Sequence, residues 1–140
     1  FQAIKNGQLI VYEKGFKRTF VHVHDMSRAL VHALGNFDNM AGNAFNVGNE
    51  ELNFTKEEVC LAIKRHVDYN LHFSEVGSDP DKRDYVVSYE KIRQAGFITN
   101  ISLDQGVLEI IKGAVMLEDR TPFANVGSFP WLKQTTNGRR

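Results

Sequence analysis

Arg18-Thr19-Phe20-Val21-His22-Val23-His24-Asp25 is the stretch on which the reading of this chain turns. Phe20 to Val23 is apolar and β-prone, which predicts a strand. Asp25 then suits a helix N-cap, its carboxylate accepting hydrogen bonds from the free amides of the first turn. Met26, Ala29, Leu30, Ala33, Leu34 and Phe37 follow at helical spacing and make one broad apolar face. Arg18, at the leading edge, is left free to meet an anion. A guanidinium presents planar donors that grip phosphate oxygens two at a time, which lysine does not do.

Outward from this stretch the chain alternates strand and helix. Phe1 to Lys5 reads as the tail of a helix, and Leu9-Ile10-Val11-Tyr12, between Gly7 and Gly15, as a strand. After a polar connection over residues 36–43, Ala44 to Val47 predicts a third strand, closed by Gly48. Thr55-x-x-Glu58 is a capping box opening a helix with Val59, Ala62, Ile63 and Val67 on one face. Leu71 to Val76 is a further strand. A charged loop from Gly77 to Arg83 holds Pro80, and Tyr85-Val86-Val87 is extended. Ser88 caps a short helix carrying Ile92 and Ala95, which Gly96 stops as a left-handed C-cap. Ser102-x-x-Gln105 is a second capping box, with Leu103, Val107, Ile110, Ile111 and Ala114 inward. The fold class is therefore α/β: a small mixed lobe of short strands and about four helices. It has too few strands for a complete doubly wound domain. Residues 1–117 form this lobe; from 118 to 140, Pro122, Gly127, Pro130 and Gly138 predict an irregular tail.

Composition narrows the function classes. Seventeen basic and seventeen acidic residues cancel, so no long-range field draws nucleic acid or anionic lipid. No apolar run is long enough for a membrane span, and no signal peptide is visible. Cys60 is the only cysteine and reads as a buried thiol, which fits a reducing cytoplasm. The chain opens at Phe1 rather than at methionine, as a piece of a longer protein would.

Catalytic motifs are missing. His22 and His24 fall on one side of the predicted strand, but a metal site needs three or four converging ligands. There is no Gly-x-Ser-x-Gly elbow and no glycine-rich dinucleotide loop. No tyrosine is followed four residues on by lysine: Tyr12, Tyr69, Tyr85 and Tyr89 meet Phe16, Phe73, Tyr89 and Arg93. What remains is Arg18 and, in the charged loop, Arg83. Together they could grip a diphosphate; taken singly, each reads as an ordinary surface charge.

Val11-Tyr12, Arg18-Thr19-Phe20-Val21-His22-Val23-x-Asp25, Phe45-Asn46-Val47-Gly48 and Thr55-x-x-Glu58 form one ordered series. Arg83-Asp84-Tyr85, Lys91-Ile92, Gly96-Phe97 and Ser102-Leu103-x-x-Gly106 complete it. Over residues 1–113 this series resembles the C-terminal half of extended short-chain dehydrogenases, the NAD-dependent nucleotide-sugar epimerases and dehydratases. The resemblance implies a substrate-binding lobe that closes over a nucleotide-diphosphate sugar. It places Arg18 and Arg83 on the diphosphate, with Tyr12 and Asn49 near the base or sugar. Relatives often carry Arg-Pro-Gly-Asp where Ser78-Asp79-Pro80-Asp81 stands, and glycine where Glu13 stands. The resemblance assigns no catalytic residue and no cofactor to this chain. NAD or NADP, and the Tyr-x-x-x-Lys pair, are expected on a missing N-terminal Rossmann half, without which the lobe is inactive. Two alternatives stand beside it: a free-standing nucleotide-sugar-binding module without catalysis, and a fragment serving only folding or self-association.

Overall fold

The computed structural model describes residues 2–116, so the expected tail over 118–140 lies outside the described residues. α1 (Gln2–Asn6) stops at Gly7, which takes a φ of +63° and turns the chain into β1 (Gln8–Tyr12). β1 lies parallel to β4 (Asn70–Ser74), with Leu9 opposite Leu71 and Val11 opposite Phe73. A parallel pair requires a long crossover, and everything between them supplies it.

Inside the crossover, β2 (Lys17–Thr19) pairs antiparallel with β3 (Asn53–Thr55), Arg18 opposite Phe54. The expected strand over Phe20–Val23 therefore lies earlier in the chain. Phe20 still donates to the Leu52 carbonyl (3.0 Å), but the chain then turns into α2 (Val23–Gly35). Asp25 is not the cap; His22 is, its Nδ1 accepting from the His24 amide at 3.2 Å. Asp25 sits in the first turn, wholly buried, and accepts from the amides of Asn100 (3.1 Å) and Ile101 (2.9 Å). It fastens α2 to the segment that precedes Leu103.

The strand expected over Ala44–Val47 is extended but has no ladder partner among the described residues. Phe45 and Val47 instead pack against the core of Ala29, Tyr89, Ile92 and Phe97. The connection before it contains a one-turn helix, α3 (Phe37–Met40). Gly48 is demanded by close packing: a Cβ there would stand 2.5 Å from Cε1 of the buried Tyr89 ring.

Local signals fare better. In α4 (Lys56–Lys64) the Thr55 hydroxyl accepts from the Glu58 amide (3.1 Å), and Glu58 accepts from the Thr55 amide (2.7 Å). Cys60 lies buried on this helix, and burial pushes its thiol pKa up. Val67 falls beyond the helix end, and β4 stops short of Val76. α5 (Glu90–Gln94) is capped at Tyr89 rather than Ser88, whose hydroxyl accepts from the Glu90 amide at 3.4 Å. Its C-terminus is a Schellman turn: Gly96 has φ +86°, and the Phe97 amide reaches back to the Ile92 carbonyl. α6 (Leu103–Met116) opens on the Ser102–Gln105 box as expected. Val107 is buried on it, whereas Ile110 is 67% exposed rather than inward. The molecule is thus a small mixed α/β lobe, with six helices and two two-stranded sheets among the described residues.

The apolar face of α2 is present but uncovered. Val23, Met26, Leu30 and Leu34 are exposed along the helix, Leu34 at 75%, and the exposed Phe37 follows at the start of α3. Only Ala29 of that helix's apolar residues reaches the buried core.

Candidate functional site

Parallel pairing brings the carboxyl ends of β1 and β4 to the same edge of the lobe. Such edges are where open α/β sheets take ligands, because the following loops converge there. Here Glu13–Phe16 leads from β1 into β2, and the charged loop 75–84 leaves β4. A surface hollow of about 400 Å³ opens at this edge, walled by Val11, Glu13, Lys14, Phe73, Ser74 and Gly77, among others.

Arg18, in the middle of β2, does not stand free. Its side chain is only 15% exposed, and Nη2 lies 3.3 Å from Asp81 Oδ1 and 3.2 Å from the Asp81 carbonyl. Nη1 donates to the Lys17 carbonyl at 2.8 Å, and the guanidinium sits 5.5 Å from the centre of the Tyr85 ring. Arg83 reaches the same carboxylate from its other side: Nε donates to Oδ1 (2.8 Å) and Nη2 to Oδ2 (2.6 Å). That is a two-pronged, charge-assisted pair, although Arg83 is 71% exposed. One carboxylate thus joins two guanidinia from distant segments, and the trio carries a surplus positive charge. The Arg83 side chain and amide, with the charge of Arg18 adding, hold the Asp81 carboxyl far below the usual range. Asp81 in turn raises the Arg83 pKa.

The loop bearing Asp81 is tied down at both ends. Asp79 accepts from Lys56 Nζ at 2.7 Å, and its amide donates to Glu13 Oε2 at 2.8 Å. Asp84 accepts from the Lys17 amide at 2.7 Å. Glu13 also meets Lys82 Nζ at 2.6 Å; Lys82, then the Asp79 amide, keeps the Glu13 carboxyl below its ordinary value. Glu13 adopts a φ of +45°, a left-handed conformation that favours glycine, so the position uses its carboxylate at some backbone cost. Lys56, the first residue of α4, also donates to the Tyr12 carbonyl at 3.1 Å, drawing β1, α4 and the loop together.

Tyr12 stands at the same edge, its ring against Gly77, where a Cβ would come within 2.9 Å of Cε1. Asn49 is used differently. Its Oδ1 accepts from the Glu51 amide at 2.7 Å and caps the 3₁₀ turn Glu50–Leu52. No contact among the described residues links Asn49 to the other three. The structure therefore brings Arg18 and Arg83 together, puts Tyr12 beside their loop, and leaves Asn49 in a cap. Sequence reasoning missed the parts played by Glu13, Lys56 and Tyr85. The only signal for the first was an unexpected glutamate after Val11-Tyr12.

His22 Nε2 faces Glu109 Oε2 at 3.1 Å, and His24 is exposed. Among the described residues no group of three or more His, Cys, Asp or Glu is placed to hold a metal ion. A second cavity, of about 200 Å³, is walled mainly by apolar residues of α4, α6 and Phe20–His22.

No family model matches the chain. Its fold is similar to parts of several solved structures. One is a GDP-D-glycero-L-gluco-heptose synthase from Campylobacter jejuni, determined in the presence of NADPH. It is 18% identical with a TM-score of 0.63, over 81% of this chain and 35% of that one. Another is a GDP-mannoheptose C4 reductase from Campylobacter jejuni with NADP bound, 18% identical with a TM-score of 0.64, over 81% and 37%. A third is a monomeric L-threonine 3-dehydrogenase from a metagenome, 18% identical with a TM-score of 0.67, over 84% and 40%. The chain spans little more than a third of the length of the structures it matches. Among the described residues no helix is long and apolar enough to cross a membrane.

Proposed function

We propose that this chain is the substrate-binding lobe of an NAD(P)-dependent nucleotide-sugar enzyme of the extended short-chain dehydrogenase type, an epimerase, dehydratase or reductase. The observation that carries this reading is the meeting of Arg18 and Arg83 on a single carboxylate at the strand edge. Two convergent guanidinia suit a diphosphate, which offers oxygens to both. The fold alone does not choose a substrate, since the similar structures include a threonine dehydrogenase as well as heptose enzymes. Threonine offers no phosphate for such a pair. The paired arginines favour a nucleotide sugar in this reading.

In this reading Arg18 and Arg83 fix the diphosphate, and Val11 and Tyr12 line the approach to the base or sugar. Binding energy from that remote group orients the sugar ring for chemistry performed elsewhere. Among the described residues no strand offers a dinucleotide cradle. β1 runs through Glu13 into β2, and β4 into the 75–84 loop, so neither strand turns through glycines into a helix N-terminus. The cofactor and the tyrosine base belong to a nucleotide-binding half, and the α2 stripe is the surface on which that half packs. A reducing cytoplasm suits the lone Cys60 thiol.

Calorimetry with UDP, GDP, CDP and dTDP sugars tests the proposal on the protein joined to its nucleotide-binding half. One sugar nucleotide binds, and Arg18→Ala weakens it by at least about tenfold, as expected for a lost charge-assisted pair. Unchanged affinity in that variant removes Arg18 from the site. Full affinity in the 140-residue chain alone would favour a free-standing binding module.

A further inference from the structure

Asp81 occupies the place that a ligand's anion must take. Its Oδ1 is shared between Arg83 Nε at 2.8 Å and Arg18 Nη2 at 3.3 Å, and Oδ2 completes the Arg83 fork at 2.6 Å. The carboxylate is 38% exposed while Arg18 behind it is 15% exposed, so Asp81 stands between the inner arginine and solvent. We propose that Asp81 is a built-in competitor for the anion site, a gate that a phosphate-bearing ligand must displace from Arg18. The inference rests on the reading of Arg18 and Arg83 as diphosphate ligands and adds what holds that site closed.

The surroundings favour a movable tip over a fixed ion pair. The loop's firm anchors lie outside Asp81: Asp79 on Lys56 and the Glu13 carboxylate, and Asp84 on the Lys17 amide. Between them, Pro80 to Arg83 is held by Asp81, whose amide donates to Asp79 Oδ1 at 2.8 Å, and by the Lys82–Glu13 pair, in which Lys82 is 57% exposed. Two contacts of Arg18 Nη2 must open, to the Asp81 carboxylate at 3.3 Å and to its carbonyl at 3.2 Å, and the first is the longest of the carboxylate's arginine contacts. Swinging the tip outward frees the Arg18 Nη2 donor while the anchors and the β2–β3 ladder stay in place.

The gate sets a threshold. Every anion that engages Arg18 meets the same cost of displacing Asp81, so all apparent affinities fall by one factor. Two linked phosphates supply oxygens to Arg18 and Arg83 together and clear that threshold, which a single carboxylate or orthophosphate, holding fewer donors, does not.

The test is calorimetric titration of the 140-residue chain with inorganic pyrophosphate and with orthophosphate at low salt. Asp81→Asn keeps the shape and removes the charge. It should tighten pyrophosphate binding by about tenfold, the scale of one charge-assisted contact. Orthophosphate should gain by the same factor, leaving the ratio between the two unchanged. Asp81→Ala should reproduce the gain, and a double variant with Arg18→Ala should lose it. Asp104→Asn, which neutralises an aspartate paired to Arg65 and His66 on other elements, should leave affinity where it was. An equal gain from Asp104→Asn would show a general charge effect and overturn the gate. Unchanged or weaker binding in both Asp81 variants, while Arg18→Ala still weakens the wild type, overturns the gate and spares the arginine site. If Arg18→Ala alters nothing, both ideas fall; if no variant binds pyrophosphate, the gate is overturned and the arginine site is judged on the joined protein.

Discussion

Replacing Asp25 by Asn should cost this fold about 3 kcal/mol, a large share of the stability of a domain this size. The side chain is fully buried, and its two oxygens accept from the amides of Asn100 and Ile101 and from Arg28 Nη1 at 2.6 Å. Asparagine keeps one acceptor and turns an NH₂ toward donors, leaving a buried amide unpaired at a cost of about 1–3 kcal/mol. Loss of the charge weakens the Arg28 contact as well. Arg28 is 37% exposed and can rehydrate, so the total stays toward the lower end of the 3–5 kcal/mol typical of a broken buried pair. With an unfolding entropy of about 2 cal/mol/K per residue, that lowers Tm by about 12 °C. The pH response has a definite sign. Burial works against ionisation, but the Ile101 and Asn100 amides, then Arg28, more than offset it and hold the folded carboxyl below its usual value. The contribution is complete above the unfolded carboxyl pKa of about 3.9 and disappears as pH falls through the lower folded value. Urea unfolding followed by circular dichroism, at neutral pH and again in acid, measures both effects. A loss under about 1 kcal/mol at neutral pH, or an Asn variant still losing stability in acid as steeply as the wild type, would refute this reasoning.

Gly48→Ala should destabilise by about 2–3 kcal/mol in the same assay, because the new methyl meets the Tyr89 ring at 2.5 Å inside the core. Near-neutral behaviour would mean that Tyr89 moves freely. Glu13→Gly relieves the left-handed backbone and releases the loop, so Tm should hold or rise while amide exchange at Asp79 quickens. Unaltered exchange there would deny Glu13 its role as a staple. Leu30→Glu with Leu34→Glu, at positions 64% and 75% exposed, should reduce self-association of the isolated chain in light scattering and shift stability by less than about 0.5 kcal/mol. A large stability loss would show that the α2 stripe is covered within the lobe.

Features written in a few adjacent residues were legible in the sequence. The Thr55–Glu58 and Ser102–Gln105 boxes and the Gly96 C-cap each close within one helical turn, and each forms as read. β1 was also plain from its glycine-bounded apolar run. Strands that depend on distant partners were not. β2 lies at Lys17–Thr19 because Asn53–Thr55 pairs there, and apolarity at Phe20–Val23 carries no such information. Ala44–Val47 has strand composition but no ladder partner among the described residues. Asp25 resembles a cap locally, and only the approach of residues 100–101 reveals its use as a tertiary fastener. Arg18 and Arg83 were singled out by residue type and by family resemblance. Their shared carboxylate was not, since nothing local ties Asp81 to β2. Glu13 was visible only as an oddity, and its φ of +45° gives physical sense to the glycine that the resemblance leads one to expect there.

The central claim, that Arg18 and Arg83 together form a diphosphate site, is tested most directly by following their guanidinium Nε–H signals by NMR. Unlabelled UDP, GDP, CDP and dTDP would be titrated in turn into the labelled chain. At least one nucleotide should move both signals along a single saturable curve, with the Tyr12 and Gly77 amides following. If both arginine signals stay fixed while shifts gather at the apolar cavity between α4 and α6, the diphosphate site lies elsewhere and the account is wrong.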